Sequence, residues 1–235
     1  MEVQTNLYYF LLDDIPSYQH EIVINQRPSI PSPEADYYSV GDITGVDGSD
    51  YESLGTYRNI KIEMNCSFVS DDWNQTWRDI KAWVLGNTHK TLRVSEDETI
   101  FRKIAKITLG SISRDADEVG NFTITFECYP YEYLNSGNFE FDYSVIKKNE
   151  YFTCHPTYRI KGNGLCSINV NGNLVQAQCD DEVYIDTDLK LAYSGSSLVR
   201  LKSGNYEDMY LANGDVSITV SDGFELKVRP NWRCL

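Results

Sequence analysis

The sequence lacks the features of several classes of protein. No apolar run approaches the length of a membrane span, and the first residues, MEVQTNLYYFLLDD, have neither the basic start nor the apolar core of a signal peptide. Basic residues are few, since 21 Lys and Arg against 35 Asp and Glu give a formal net charge of −14. Such a surface repels phosphate backbones. We therefore expect a chain used without secretion that binds neither membranes nor nucleic acid specifically.

Cysteine is also scarce. The six cysteines stand far apart and form no CxxC pair, which argues against a disulfide scaffold and favours reduced, packed thiols. The adjacent Cys154 and His155 suggest zinc as an alternative. However, neighbouring residues in a strand point to opposite faces and cannot easily share one ion. We expect no metal and no cofactor.

Catalytic motifs are missing too. None of His20, His89 and His155 stands in a nucleophile setting such as GxSxG, and no GxxxxGK[ST] phosphate loop occurs. The acidic clusters at 115–118 and 180–182 are typical of solvated turns, and the first lacks the ligand spacing of an EF-hand. Carboxylate pairs of glycosidases are recognised only by their separation in space, so a polysaccharide-degrading enzyme stays a rival without a candidate residue. We predict that the chain is not an enzyme.

What the sequence does contain is alternation at period two. Hydrophobic residues at 41% and charged residues at 24% are near globular averages, and 235 residues favour two domains. In 60–69, Ile60, Met64 and Phe68 share one face while Lys61 and Glu63 lie on the other, which predicts a half-buried strand. The same pattern occurs in FTITFEC at 122–128. Shorter strands are predicted at 21–25, 91–94, 101–109, 166–170, 182–186, 215–220 and 224–229, so the protein is mainly β.

One segment has helical spacing instead. Residues 71–87 place Trp73, Trp77, Ile80 and Val84 on one face. The segment opens with Ser70 and two aspartates, Asp71 and Asp72, at the positive end of the helix and stops at Gly86. Three tryptophans in one segment could form a sugar platform. An apolar stripe on a lone helix more often covers the open face of a sheet, which is the interpretation that we favour.

Residues 28–59 have no clear periodicity. They mix Pro, Gly, Asp and Tyr, which predicts a long loop or an irregular hairpin centred on Asp47 and Gly48. A mobile surface loop is the simplest interpretation, but long loops in compact domains often have a function. Tyrosines are enriched at protein interfaces. The candidate interface residues are Tyr37, Tyr38, Asp47, Gly48, Tyr51 and Tyr57.

A boundary is predicted near 130–150. Pro130, the polar run YLNSGN and the charged KKNE interrupt the strand pattern, after which short strands resume with turns such as Asn171-Gly172 and Asn213-Gly214. We divide the chain into 1–135 and 136–235. The second part has no good helix, and its strands and turns are typical of a β-sandwich.

The order of these features resembles a known family. The motifs that carry the resemblance are Arg27-Pro28, the GVDG at 45–48, the strand at 60–69, the helix with Trp83, KITLGSISRDADEVGNFTITFECYPYEY at 106–133, His155-Pro156, TYRIKGNG, INVNG, EVYIDTD and the closing RPNWRCL. Together they resemble the distal tail protein, or Dit, of long-tailed phages and prophages of Gram-positive bacteria. Each motif alone is common in strands and turns. Their order and spacing, however, match the family over essentially the whole chain.

The resemblance implies a structural role. Dit proteins form hexameric rings that join the tail tube protein to the tail-associated hub or lysin protein, and in many phages they anchor receptor-binding proteins. It implies an N-terminal, sandwich-like ring domain with one helix and a long loop or hairpin, then a galectin-like β-sandwich, in a virion component assembled in the host cytoplasm. DNA would pass through the ring without specific binding. The alternative is a carbohydrate-binding module for host-surface glycans, which would use exposed aromatics of the second half.

Overall fold

A computed structural model describes residues 8–41, 45, 47–86 and 88–235, with only the backbone of Asp115. By its internal contacts the chain divides into two compact units. The first ends at Glu132, and the second spans Tyr133–Cys234. The first unit contains the helix α1 (Trp73–Gly86), a short 3-10 helix (Ser17–His20) and ten strands, the last of which continues into the second unit. These strands are β1 (Phe10–Leu12), β2 (Ile15–Pro16), β3 (Val23–Ile24), β4 (Ala35–Gly41), β5 (Asp50–Tyr57), β6 (Ile60–Val69), β7 (Thr91–Val94), β8 (Asp97–Leu109), β9 (Ser113–Ala116) and β10 (Val119–Leu134).

The main sheet of the first unit has the order β2-β1-β7-β8-β10-β6-β3, with β9 paired to β10. Its centre is the antiparallel pair of β6 and β10, which runs in register from Val119 opposite Val69 to Cys128 opposite Ile60. Every second residue of both strands is buried in one core, because alternate side chains point to the same face of a sheet. The period-two prediction for 60–69 and 122–128 is therefore confirmed.

Helix α1 covers this core through its apolar face. Ile80, Trp83 and Val84 are buried, whereas Trp73 and Trp77 are half-buried against Phe68 and Phe122. The helix thus packs on the sheet, as the stripe predicted, and its most buried tryptophan is one that the stripe did not include. Its start also differs from the prediction.

Asp72 rather than Ser70 caps α1. The Asp72 Oδ1 atom accepts a hydrogen bond from the backbone N–H of Gln75 at 3.1 Å. The hydroxyl of Ser70 instead accepts one from the Thr76 Oγ1 hydroxyl at 2.8 Å. An aspartate at this position satisfies an orphan N–H and places a negative charge at the positive end of the helix, so it can replace serine as the cap. Asn87, at the end of the predicted helix, lies outside the described residues.

The second unit contains a larger and a smaller sheet. The larger sheet has the order β11-β20-β13-β14-β15-β16, with β17 paired to β14 and β19 to β13, while β12 pairs with β18. Three 3-10 helices lie at Asn135–Asn138, Tyr143–Val145 and Glu207–Met209. The strands are β11 (Phe141–Asp142), β12 (Lys148–Asn149), β13 (Thr157–Val170), β14 (Asn173–Asp186), β15 (Leu191–Ser194), β16 (Ser197–Val199), β17 (Leu201–Ser203), β18 (Gly214–Asp215), β19 (Ile218–Val220), β20 (Glu225–Arg229) and β21 (Arg233–Cys234).

A long hairpin, β13–β14, organises this unit. Its strands pair without a register shift from Thr157 opposite Asp186 to Val170 opposite Asn173. Asn171 and Gly172 form the turn with φ of 51° and 94°, the two positive values that a type I′ turn requires. The inward residues of both strands fill a core around Tyr158, whose hydroxyl donates to the Met209 carbonyl at 2.7 Å.

The predicted fold class is confirmed: the described chain is mainly β, with one α-helix and a hairpin between residues 35 and 57. Two predicted strands are wrong in extent. The one at 215–220 is interrupted, because the N–H of Val216 bonds the Lys147 carbonyl and the N–H of Ser217 bonds Asn171 Oδ1, which leaves Gly214–Asp215 and Ile218–Val220 as separate strands. At 21–25 only Val23–Ile24 is a strand, because Glu21 adopts a left-handed φ of 60° and the N–H of Ile22 bonds the Ser17 carbonyl of the preceding 3-10 helix. The described helix of the chain is too short and too polar to cross a membrane.

Candidate protein interface

The segment 28–59 contains a two-stranded sheet of its own. Among the described residues, β4 and β5 pair only with each other, with Tyr37 opposite Ser53, Tyr38 opposite Glu52 and Ser39 opposite Tyr51. We call this element, residues 35–57, the tyrosine hairpin. The irregular hairpin expected from the sequence is thus present, with register shifts on both sides of the regular part.

Both faces of the tyrosine hairpin carry exposed apolar groups. Tyr37 pairs with Ser53, which is two residues from Tyr51 along β5, so Tyr37 and Tyr51 lie on the same face of the hairpin. Their side chains are 56% and 63% exposed. Tyr38 and Val40 lie on the opposite face and are also exposed. The Tyr38 hydroxyl donates a hydrogen bond to Glu52 across the strands. The tyrosines therefore present their rings to the surroundings rather than to the core.

The base of the hairpin is held by an ion pair and hydrogen bonds. The Arg58 Nε atom binds Asp36 Oδ1 at 2.7 Å, and the Thr56 hydroxyl donates to the same carboxylate at 3.2 Å. The hydrogen bond from Arg58 lowers the pKa of Asp36 below its usual value. Tyr57, the least exposed of the candidate tyrosines, packs edge-on against Tyr131 with ring centroids 6.3 Å apart.

The predicted centre of the segment lies at the tip. Asp47 and Gly48 are exposed, and Gly48 has a φ of 97°, which favours glycine. Val46, in the GVDG mark of the family resemblance, lies outside the described residues. The structure thus brings Tyr37, Tyr38 and Tyr51 together in the paired strands. Asp47 and Gly48 belong to the chain segment that connects these two strands.

A free two-stranded hairpin is only marginally stable in water. The tyrosine hairpin has no third strand among the described residues, and most of its side chains are exposed. Burial of its tyrosines against another surface would supply the hydrophobic stabilisation that the hairpin lacks. Aromatic rings with polar hydroxyls are enriched at protein interfaces, which makes the tyrosine hairpin the candidate interface.

The residues with catalytic potential are engaged in structural contacts. His89 lies between the Trp83 carbonyl, 2.8 Å from Nε2, and Asp13, 3.2 Å from Nδ1. His155 lies between Asp188, 3.0 Å from Nδ1, and Arg233, 3.0 Å from Nε2.

His20 stacks on the Trp83 ring with centroids 4.0 Å apart. Burial is the main cause that lowers the pKa of His20. Of the carboxylates at 180–182, Glu182 accepts a hydrogen bond from Arg159 at 2.7 Å. These contacts are structural. In none of them does the imidazole of His20, His89 or His155 contact a nucleophilic side chain.

The cysteines are all within the described residues, and no disulfide joins them. Cys154 is buried, whereas His155 faces Asp188, so the two do not converge on one site. The described residues contain no cluster of three His, Cys, Asp or Glu side chains that could hold a metal ion.

Sequence reasoning missed two exposed apolar residues of the hairpin, Val40 and Leu54. The predicted interface residues were four tyrosines together with Asp47 and Gly48, and none of them was aliphatic. The sequence does indicate that these two residues are exposed, because aliphatic side chains in a segment without alternation have no predicted core to pack into.

No protein-family profile and no curated protein sequence matches the chain. Solved structures with a similar fold do exist. The Dit protein (gp 19.1) of phage SPP1, described as a paradigm of the hub adsorption apparatus in phages infecting Gram-positive bacteria, matches 98% of this chain and 100% of its own with a TM-score of 0.60 and 12% identity. A chain of the phage P2 baseplate in its activated conformation with Ca matches 97% of this chain and 98% of its own (TM-score 0.52, 11% identity). The form with Sr matches 94% and 97% (TM-score 0.51, 12% identity). The predicted resemblance to Dit is confirmed at the level of the fold.

Proposed function

We propose that this protein is a structural component of a phage tail tip, a distal tail protein that assembles into a closed ring. The observation that carries the proposal is the fold match to SPP1 Dit, which extends over 98% of this chain and all of the other. A match of both units in one chain order is more specific than a match of either β fold alone, because β-sandwiches serve many unrelated functions.

The proposed ring has six members, connects the tail tube protein to the hub or lysin protein, and can anchor receptor-binding proteins. The first unit forms the ring, and the second is a galectin-like domain that closure does not require. These assignments rest on the family resemblance together with the fold.

The tyrosine hairpin is the proposed ring contact. A ring needs a heterologous interface, in which one patch meets a different patch on the neighbouring subunit. A projecting hairpin with exposed Tyr37, Tyr51 and Val40 can supply one side of it. This contact would also pack the hairpin against another surface, which a two-stranded sheet needs to be stable.

The charge of the chain suits a channel for DNA. Six copies at −14 each would carry a formal charge of −84, which repels phosphate rather than retaining it. The same charge opposes assembly. Salt screens charges over about 8 Å at physiological strength, so ring formation should strengthen as salt is raised.

Light scattering on the purified full chain tests the proposal. We expect the mass of a six-membered species at high salt and protein concentration. The double variant Tyr37→Ser/Tyr51→Ser should raise the concentration needed for assembly by about tenfold or more, since each buried interface tyrosine is worth roughly 1 kcal/mol or more.

The matched control is Tyr129→Ser, which removes a comparably exposed tyrosine from β10, outside the hairpin. This variant should assemble like the wild type. The proposal is wrong if the wild type remains monomeric at high salt and concentration and also forms no ring with its tail partners. The hairpin contact is wrong if the double variant assembles like the control.

A further inference from the structure

The larger sheet of the second unit ends in an open edge at β16. β16 pairs with β15 on one side, and no described strand lies on its other side. The edge strands β2 and β11 are blunted, because β2 contains Pro16 and the two-residue β11 contains Asp142. β16 has the sequence Ser-Leu-Val, with neither proline nor charge. An edge without such protection is a template for pairing with another chain.

The turn before β16 determines which backbone groups face the open side. Gly195 and Ser196 form a two-residue connection, with Gly195 at a φ of 57°, between the paired residues Ser194 and Ser197. In such a hairpin the residues that flank the turn exchange both hydrogen bonds, and the next pair exchanges none. That next pair is Tyr193 and Leu198. The N–H and C=O of Leu198 therefore point away from β15, toward the open edge.

The side chains at this edge form an apolar strip on the outer face of the sheet. Leu198 is 74% exposed, the highest value among the exposed large hydrophobic residues of the described chain. Its cross-strand neighbour Tyr193 stacks on Tyr184, with ring centroids 5.4 Å apart and an interplanar angle of 10°. The row of side chains Tyr184, Tyr193 and Leu198 thus crosses the sheet and ends at its open edge.

Positive charge follows Leu198 along the chain, since Arg200 is the first residue after β16 and Lys202 lies in β17, which pairs with β14. Val199 and Leu201 pack against the core of the unit, so the alternating Arg200 and Lys202 face outward with Leu198. Neither cation forms an ion pair within the described chain, and both are exposed. By contrast, Arg159 on the same sheet pairs with Glu140 and Glu182. An acidic protein thus leaves one unpaired cation at the end of its open strand and a second one in the strand that follows.

We propose that the β16 edge accepts an extended, acidic segment of another polypeptide as an added β-strand. The backbone of Leu198 would bond the backbone of the incoming segment, which is how peptides add to exposed sheet edges. An apolar side chain of that segment would pack on Leu198 and Tyr193, and its carboxylates would meet Arg200 and Lys202. A second copy of this chain is the weaker occupant, because two copies at −14 repel each other. The inference does not depend on the ring.

Fluorescence anisotropy with two synthetic peptides tests it on the full chain. The acidic probe is Thr-Val-Thr-Glu-Thr-Glu-Thr, whose valine and glutamates share one face of an extended strand, and the basic probe replaces both glutamates with Lys. We expect the acidic probe to bind at least about tenfold more tightly, and the double variant Arg200→Glu/Lys202→Glu to reverse this preference. An acidic probe methylated on alternate backbone nitrogens should not bind, because strand addition uses those N–H groups.

Leu198→Pro is the sharpest variant. It removes an N–H that faces the open edge and is not used by β15, which is the position that proline tolerates in an edge strand. The variant should fold, as circular dichroism will show, and bind the acidic probe at least about tenfold more weakly. The matched variant Leu198→Thr keeps the N–H and should retain more binding than Leu198→Pro.

The inference is overturned if neither probe binds, if both bind equally, or if Leu198→Pro binds like the wild type. It is also overturned if the chain alone dimerises in a way that Leu198→Pro abolishes, since the edge would then bind a second copy. The hairpin variant Tyr37→Ser/Tyr51→Ser should bind the acidic probe normally, which separates this test from that of the ring.

Discussion

At the scale of single residues, burial controls the chemistry of the thiols and imidazoles. Burial is the largest cause that raises the pKa of Cys66 and of Cys128 to about 12, and that of Cys154 and Cys166 to about 11. Cys234 is the one cysteine that is not fully buried. Reactive thiols need both exposure and the thiolate form, so the five buried cysteines should be inert in the folded protein.

Thiol titration with Ellman's reagent at pH 8 checks this expectation. We predict that native protein shows one rapidly reacting thiol, which Cys234→Ser removes, and that unfolding in urea exposes all six cysteines. Intact mass should not change with reductant. Rapid reaction of several thiols in the native state, or a mass gain on reduction, would show that the buried cysteines are misassigned.

His20 should make folding sensitive to mild acid. Burial lowers the pKa of His20, and the charge of nearby His89 lowers it further. Because the folded pKa lies below the unfolded value of about 6.5, the unfolded chain binds more protons between the two values. The free energy of unfolding therefore falls as the pH drops through about 6.5 toward the folded pKa.

Urea unfolding from pH 7 to pH 5 measures this effect. The variant His20→Phe keeps a ring stacked on Trp83 but cannot titrate, so its stability should decline less with acid than that of the wild type. Equal slopes for the two proteins would contradict the assignment to His20.

At the scale of elements, the first unit depends on the contact between α1 and its sheet. Trp83 is 6% exposed and stacks near Phe10, with ring centroids 6.0 Å apart, whereas Trp77 is half-buried at the margin of the core. The two tryptophans should therefore differ in their contribution to stability, although both lie on the face that packs on the sheet.

Alanine substitutions along α1 test this order. We expect Trp83→Ala to lower the free energy of unfolding by about 3–5 kcal/mol and Trp77→Ala by less, because the cost follows the buried volume that is lost. Leu85→Ala is the control, since Leu85 is 53% exposed on the same helix and should change stability by no more than about 0.5 kcal/mol. A lower urea midpoint for Trp77→Ala than for Trp83→Ala would show that the helix packs through a different face.

The elements also show why parts of the fold could be predicted from sequence. β6 and β10 each bury one face, so their alternation is visible in the letters, and Asn171-Gly172 marks its turn through the conformation that it requires. The strands of the tyrosine hairpin expose both faces and leave no such signal. The open edge at β16 was not predictable, because a strand's place in the sheet order depends on pairing between distant segments.

At the scale of the whole molecule, the two units make different demands on partners. The first contains a two-stranded hairpin that we propose as a ring contact, and the second contains an open sheet edge that we propose as the binding site of an added strand. Tyr37, Tyr38 and Tyr51 are interface candidates by composition alone, because tyrosines are enriched at protein interfaces. His155, Asp188 and Arg233 were not predicted as a cluster, because the fold brings them together from distant positions.

Electron microscopy of the purified full chain at high salt tests the central claim most directly, because it shows closure and symmetry in the same images. The account predicts closed rings with sixfold symmetry and an open centre, and their loss in Tyr37→Ser/Tyr51→Ser but not in Tyr129→Ser. Fields of single particles at high protein concentration, with no rings formed alone or with tail partners, would contradict it.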